Sequence, residues 1–267
     1  MSSLDPHRID TSVPHPARRY NYWLGGKDHF QADRDSGDAI AELFPTIRAA
    51  ALANRAFMRR AVTHVARQGV RQFLDIGTGI PAPNNTHEVA QSIIPDARVV
   101  YVDNDPIVMS HARALLTSRE GGLTAYLEAD LRDYEDILDH PDLLRVLKLD
   151  QPVGLLLVAI LHFLTDADDP AGIMAGLLRR LAPGSYLVLS HGTMDFTPPE
   201  RREAAFPRPA RHGSLQVRTR EEIAALLTGL DIIEPGIVAV SEWRNDDDGP
   251  HLTPSEAGIY GVVARIP

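Results

Sequence analysis

The apolar positions of the chain follow two different periods. From "DRDSGDAIAELFP" through "TIRAAALANRAFMRRAVTHVARQG" they recur at helical spacing; Pro45 interrupts the run and Gly69 follows it as a glycine follows a helix end. These features predict a helical N-terminal extension. The residues before it, up to about 17, carry Pro6, Pro14 and Pro16 with little periodicity, and predict a mobile or draped arm. From residue 71 the period shortens. "RQFLDIG", "ARVVYVDND", "TAYLEAD", "VGLLLVAIL" and "SYLVLSH" are strand-length apolar runs, separated by helical patterns such as "DPIVMSHARALL" and "DPAGIMAGLLRRLAPG". Strands alternating with helices predict βαβ units and a parallel sheet buried on both faces. Beyond the proline-rich "TMDFTPPERREAAFPRPARHGS" comes a predicted helix, "TREEIAALLTGL". Two closing strands, "DIIEPGIVAVSEW" and "IYGVVARIP", are predicted to form a hairpin around the acidic loop "RNDDDGPHLTPSE". The organisation read from the pattern is an arm and helical extension over residues 1–70, then an α/β domain over 71–267.

Composition narrows the function classes. At 267 residues and 44% hydrophobic content the chain can bury a core without disulfides or structural metals. It has no cysteine, which removes thiolate metal sites and cysteine nucleophiles and fits a reducing compartment, so the cytoplasm is the expected location. Its net charge of -9 argues against a nucleic-acid partner. No run reaches membrane-spanning length and the N-terminus lacks a signal-peptide centre, so neither export nor a membrane partner is expected.

The most informative segment is "FLDIGTGIPAPNNTHEVA", Phe73 to Ala90. A strand ends at Asp75, the chain turns through Gly77, Thr78 and Gly79, and a helix opens near Asn85, with Glu88 spaced for a capping box. Bare backbone at the carboxyl end of a first strand is where open α/β sheets bind ligands, although a tight turn with no ligand has the same glycines. Asp103 and Asn104 follow the second strand, at the spacing where nucleotide-type folds put a carboxylate on ribose hydroxyls. Asp105, before Pro106, reads instead as a helix N-cap. Asp130 ends the third strand, suited to an adenine amino group with the Leu131 backbone beside it, or to a turn.

The succession "LDIGTG", "YVDNDP", "ADLRD" and "LAPGSYLVLSH" resembles the class I S-adenosylmethionine-dependent methyltransferases. "YNYWLGGKDHF", "ANRAFMRRAV", "GVRQFLDIGTGIP", "VVYVDNDPIV" and "LHF" look more narrowly like an actinobacterial methyltransferase-like family with an unassigned acceptor. The resemblance implies a Rossmann-like seven-stranded sheet, mostly parallel with an antiparallel last strand. It also implies S-adenosyl-L-methionine as cofactor, with Asp75, Gly77 and Gly79 around the methionine moiety, Asp103 at the ribose, and Asp130 with Leu131 at the adenine. The expected reaction is methyl transfer to a small or medium-sized acceptor. Ile80-Pro81 departs from the commoner glycine pattern and stiffens the loop.

Other residues follow from placement. His162, after the fourth strand, stands where acceptors sit and has a pKa suited to proton removal; a histidine bonded beside the sheet edge is the plainer reading, and His191 is a second candidate. "YNYWLGGKDHF" is expected to form a lid, with Tyr20, Tyr22 and Trp23 as apolar cover, Gly25-Gly26 as its turn, and Lys27 or Asp28 meeting polar groups of the ligands. The alternative is that its aromatics staple the extension to the core. Arg55 is placed to pair with the methionine carboxylate. Histidine spacing gives no zinc motif, and Asp169 before Pro170 reads as another N-cap. A dinucleotide-dependent oxidoreductase is disfavoured because Ala82 stands where the third fingerprint glycine belongs; a non-catalytic cofactor-binding module remains a further reading.

Overall fold

The computed structural model describes residues 9–115, 122–199, 215–245 and 251–267. Its centre is a sheet of strands β1 (Gln72–Ile76), β2 (Arg98–Asp103), β3 (Leu123–Glu128), β4 (Gly154–Val158), β5 (Tyr186–Gly192), β6 (Asp231–Ile232), β7 (Val238–Ala239) and β8 (Ile259–Arg265). They lie in the order β3-β2-β1-β4-β5-β8-β6, with β7 also paired to β8. The first five are mutually parallel, and β8 runs antiparallel between β5 and the β6/β7 edge. The chain reversal between β1 and β4 opens a crevice above their carboxyl ends.

The first of the two expected closing strands is present in two pieces, β6 and β7, while the antiparallel last strand is the unbroken β8, which makes eight strands among the described residues. β6 meets Arg265 and Ala264, β7 meets Gly261 and Tyr260, and Pro235-Gly236 between them interrupts the ladder. Proline has no N–H to give such a ladder. The proline-rich connection at 200–214 and residues 246–250 of the acidic loop lie outside the described residues.

Alternate side chains of each strand feed opposite faces, as a parallel sheet covered on both sides requires. Leu74, Val100, Leu155 and Leu187 pack with helices α6 (Tyr134–Asp139), α7 (Pro141–Val146), α8 (Pro170–Arg179) and α9 (Arg220–Leu226). Phe73, Val99, Leu156, Val188 and Val263 pack with α3 (Ile47–Arg67), α4 (Thr86–Ile93) and Trp243. The pair α6 and α7 has a sequence signal too short to stand out: two six-residue helices are separated at His140-Pro141, where His140 Nδ1 accepts the Asp142 N–H at 3.1 Å.

Helix α3 packs directly on the sheet. Phe57, Ala61, Val62 and Val65 are fully buried against the sheet, and Arg60 donates to the carbonyls of Trp243 and Val240 at 2.8 and 2.7 Å. This helix is one wall of the core. The segments outside the sheet layers are α1 (Pro16–Trp23) and α2 (Gln31–Leu43), and the arm is already helical from Pro16, which takes the first helical position that proline favours. Among the described residues no helix is long and apolar enough to cross a membrane.

Phe57 meets Trp243 edge to face at 5.6 Å and touches Gly261 so closely that a Cβ there would lie 2.8 Å from its ring. Phe57→Ala should therefore cost about 3–5 kcal/mol, read from urea unfolding. A loss below about 1 kcal/mol would contradict the placement of α3 in the core.

Candidate active site

The turn after β1 is built by glycines that no other residue replaces cheaply. Gly77 has φ +75°, and a Cβ on it would lie 2.7 Å from Ile160 beyond β4. The N–H groups of Gly77 and Thr78 donate to Val102 O at 2.8 and 3.2 Å, binding the turn to β2. Gly79 has φ +69°, and the place where its Cβ would stand is open space. Its N–H donates to Asp103 Oδ2 at 2.8 Å, while Asp103 Oδ1 accepts from the Asp105 N–H at 3.0 Å.

Two carboxylates stand buried beside this turn. Desolvation pushes Asp103 up to about 6, against the pull of its two backbone N–H donors. Asp75 is likewise pushed up to about 6 by burial, although the Thr86 hydroxyl donates to it at 2.6 Å and Thr78 also bonds to it. Asp130 differs, being half-exposed: burial would raise it, but hydrogen bonds from the Arg132 N–H and from Asn104 Nδ2, each at 2.9 Å, hold it below the usual carboxylate range. Asn104 and Asp130 thus link the ends of β2 and β3, with Leu131 buried behind them. Asp130 also caps the short helical turn it precedes.

The rest of the loop is stiffened as its sequence implies. Asn85 Oδ1 accepts the Ala82 N–H at 3.1 Å, and Glu88 accepts the Asn85 N–H at 2.7 Å at the head of α4. Arg55 reaches this loop from α3. Its Nη2 donates to the carbonyls of Pro83 and Asn84 at 3.1 and 3.3 Å, so it supports the loop's outer side.

Above the turn lies the N-terminal segment. Ile80, Ile107 and Val108 form a small apolar cluster against which Ile9, Ala17, Phe30 and Tyr126 pack. α5 (Pro106–Leu115) begins at Asp105, whose Oδ1 caps it by accepting the Ile107 N–H at 2.9 Å. Asp105 Oδ2 takes the Arg18 Nε–H at 2.8 Å. An N-cap is thereby also the anchor of α1. The sequence carries no signal for the Arg18–Asp105 pair, whose members are 87 positions apart.

The aromatics of α1 behave as staples. Tyr20 Oη donates to Ala51 O at 3.0 Å and accepts from Asn54 Nδ2 at 3.0 Å. Tyr22, expected at the cofactor, donates to Asp38 at 2.8 Å and lies beneath the Arg48 guanidinium, fastening α1 to α2 and α3. Trp23 Nε1 donates to Gly37 O at 3.3 Å. Gly25 turns the chain at φ +78°, and Gly26 is packed so tightly on Asn21 that a Cβ would overlap it. Lys27 stands exposed in that turn; Asp28 is the residue drawn inward, its N–H on Asn21 Oδ1 at 3.0 Å.

At the other end of the crevice β4 is followed by Ala159, a non-glycine residue at φ +56° whose N–H donates to Ser190 Oγ at 2.9 Å. Such a conformation costs about 1–3 kcal/mol and persists only where surroundings enforce it. His162 follows. Its Nδ1 accepts the Gly192 N–H at 3.3 Å, which leaves the proton of the neutral ring on Nε2. Burial, then the nearby His191, Arg218 and Arg19, push its pKa down to about 3. In this tautomer Nε2, for which the described residues show no hydrogen-bond partner, carries the proton. His191 is fixed in the opposite tautomer, Nδ1 donating to Gly192 O at 2.8 Å and Nε2 accepting from Arg218 Nη1 at 3.2 Å, and burial first of all pushes it down to about 4.

Against this geometry the comparisons are specific. The model of a family described as S-adenosyl methyltransferase matches residues 2–267. A DUF574 family protein of Streptomyces avermitilis is 46% identical over 97% of this chain and 100% of its own, with a TM-score of 0.89. A presumed methyltransferase of Thermobifida fusca is 37% identical over 99% of each chain, with a TM-score of 0.87. The plantazolicin methyltransferase BamL, at 12% identity over 93% of this chain and 95% of its own and a TM-score of 0.50, shares the fold alone. No curated protein matches the chain.

The buried carboxylates give a pH signature without ligand. Asp103 has a folded pKa above its unfolded one, so it contributes stability in acid that is lost as pH rises through about 6. Asp103→Asn, which cannot titrate, should gain roughly 2–3 kcal/mol relative to the parent between pH 4 and pH 7, measured by urea unfolding at each pH. A difference that stays flat across that range would contradict the burial of the charge.

Proposed function

Because the chain belongs to the S-adenosyl methyltransferase family, we propose that the crevice above β1, β2 and β3 holds S-adenosyl-L-methionine and that the end of β4 receives a small or medium-sized acceptor. The observation that carries this reading is the open space at Gly79, flanked by the buried carboxylates of Asp75 and Asp103. A positively charged ligand whose sugar hydroxyls donate to carboxylates fits this pair. When bound, the cofactor supplies an electrophilic methyl group on a sulfonium.

The chain's own residues supply alignment. Asp103 already accepts two backbone N–H groups, and a carboxylate has lone pairs to spare for ribose hydroxyls. Asp75, with Thr78 and Gly77, lines the methionine end, while Asn104, Asp130 and Leu131 border the adenine end. The α1 segment, held by Arg18 on Asp105, covers the crevice and excludes water from the reacting groups. Within this reading Tyr22 and Arg55 act indirectly, by holding the lid and the loop in place, and Lys27 lies at the lid's edge. Displacement at a methyl carbon demands chiefly proximity and in-line geometry, which this rigid frame provides. The reaction is placed in the cytoplasm, in keeping with a cysteine-free chain.

Calorimetry tests the reading. S-adenosylmethionine and S-adenosylhomocysteine should bind the purified chain, and Asp103→Ala should weaken both about tenfold to a hundredfold, as loss of a charge-assisted hydrogen bond does. Affinity for the positively charged S-adenosylmethionine should also fall as pH drops through about 6, because Asp75 and Asp103 protonate there. A folded parent that binds neither compound would overturn the proposal.

A further inference from the structure

Alternate side chains of a strand face opposite ways, and on β1 the face shared by Phe73 and Asp75 is the one covered by α3 and α4. Asp75 therefore enters a layer that is otherwise mostly apolar. Its register neighbour on β2 is Tyr101, whose own neighbour on β3 is Tyr126, the two rings being stacked at 5.4 Å. The Tyr101 hydroxyl is turned to α4, where it accepts the His87 N–H at 2.8 Å and lies 2.8 Å from His87 Nδ1. What α4 gives to Asp75 is Thr86, 1% exposed, whose hydroxyl donates to Oδ2 at 2.6 Å. Met58 Sδ lies 3.8 Å from the same hydroxyl, and its single proton goes to the charged acceptor at the shorter distance.

Thr86 is fixed for this by the head of α4. It takes the first helical position, between Asn85, whose N–H goes to Glu88 Oε2 at 2.7 Å, and His87, whose N–H goes to Tyr101. The hydroxyl thus sits on a backbone held on both sides. A buried carboxylate keeps its charge only where donors offset its lost hydration. Burial raises Asp75 to about 6; the Thr86 bond opposes this most, followed by the charge of Arg55 on α3 and the Thr78 side chain. On β2, Asp103 and Tyr101 share its field, while Leu156, its neighbour on β4, is apolar.

We propose that Thr86 is a positioning residue for the cofactor, which through this one hydrogen bond sets the Asp75 carboxylate to receive the ammonium of the methionine moiety. The inference rests on the cofactor reading above, in which Asp75 lines the methionine end. Without the hydroxyl the carboxylate loses both a fixed orientation and a donor that favours its charged form, and each loss weakens its hold on an ammonium. The ribose and adenine lie beyond the reach of Asp75. Thr86 therefore governs recognition of the amino acid end alone.

The test compares two ligands on the full chain by calorimetry: S-adenosylhomocysteine, which carries the amino acid moiety, and 5′-methylthioadenosine, which lacks it. Binding of S-adenosylhomocysteine to the parent is measured first; its absence defeats the cofactor reading and this inference with it, whereas the outcomes below bear on Thr86 alone. Thr86→Val should weaken S-adenosylhomocysteine about tenfold, as loss of a hydrogen bond to a charged group does, and leave 5′-methylthioadenosine within about twofold of the parent. Thr86→Ser, which keeps the hydroxyl, should bind both like the parent. Thr86→Ala also lacks the hydroxyl and carries the same expectation as valine, with thermal melting showing that each variant folds. The loss should be larger at pH 6 than at pH 8, because removing a donor raises the pH at which Asp75 takes up its proton. Asp103 titrates in the same range but is read at the ribose that both compounds share, so the ratio of the two affinities isolates Asp75. Equal weakening of both compounds, a serine variant that binds like the valine one, or a valine variant that binds like the parent would each overturn the proposal.

Discussion

The architecture of the crevice turns on one hydrogen bond, from the Gly79 N–H to the buried carboxylate of Asp103 at 2.8 Å. It ties the turn after β1 to the end of β2, and the second oxygen of Asp103 orders Asp105 through its N–H. Asp105 then caps α5 and holds Arg18 of α1. The turn after β1, the end of β2 and α1 are therefore connected through three adjacent positions, 103 to 105. Burial of the carboxylate carries a desolvation penalty, and the structure accepts it where a hydroxyl-rich cation would be bound.

One end of the crevice is lined by the buried carboxylates of Asp75 and Asp103, and the other by the imidazoles of His162 and His191. The contact of Ile160 beneath Gly77 joins the two ends mechanically, since a side chain on Gly77 would displace the residue that follows the strained Ala159.

Much of this was legible in the sequence, for physical reasons that differ by element. The parallel sheet announced itself because its strands are buried on both faces and so are nearly all apolar, as in "VGLLLVAIL". Asp75, Gly77, Gly79, Asp103 and Asp130 were readable because each sits at a strand end, where chain position alone fixes place. Arg18, Arg19 and Arg218 were not, because each acts on residues distant in sequence and looks from its neighbours like any solvated arginine. The tautomers of His162 and His191 depend on the N–H and the carbonyl of Gly192, each meeting one ring, and on Arg218, an arrangement that no neighbour in the sequence signals. Helix α3 was found as a helix, yet its role as a core wall emerged only from the residues packed on Phe57.

The most direct measurement is a crystal structure of the chain with S-adenosylhomocysteine. The account predicts ribose hydroxyls on Asp103, the amino acid moiety beside Asp75 and Gly79, and adenine next to Asp130 and Leu131 beneath a closed α1. A ligand bound elsewhere, or one that left Asp103 bonded only to Gly79 and Asp105, would contradict it.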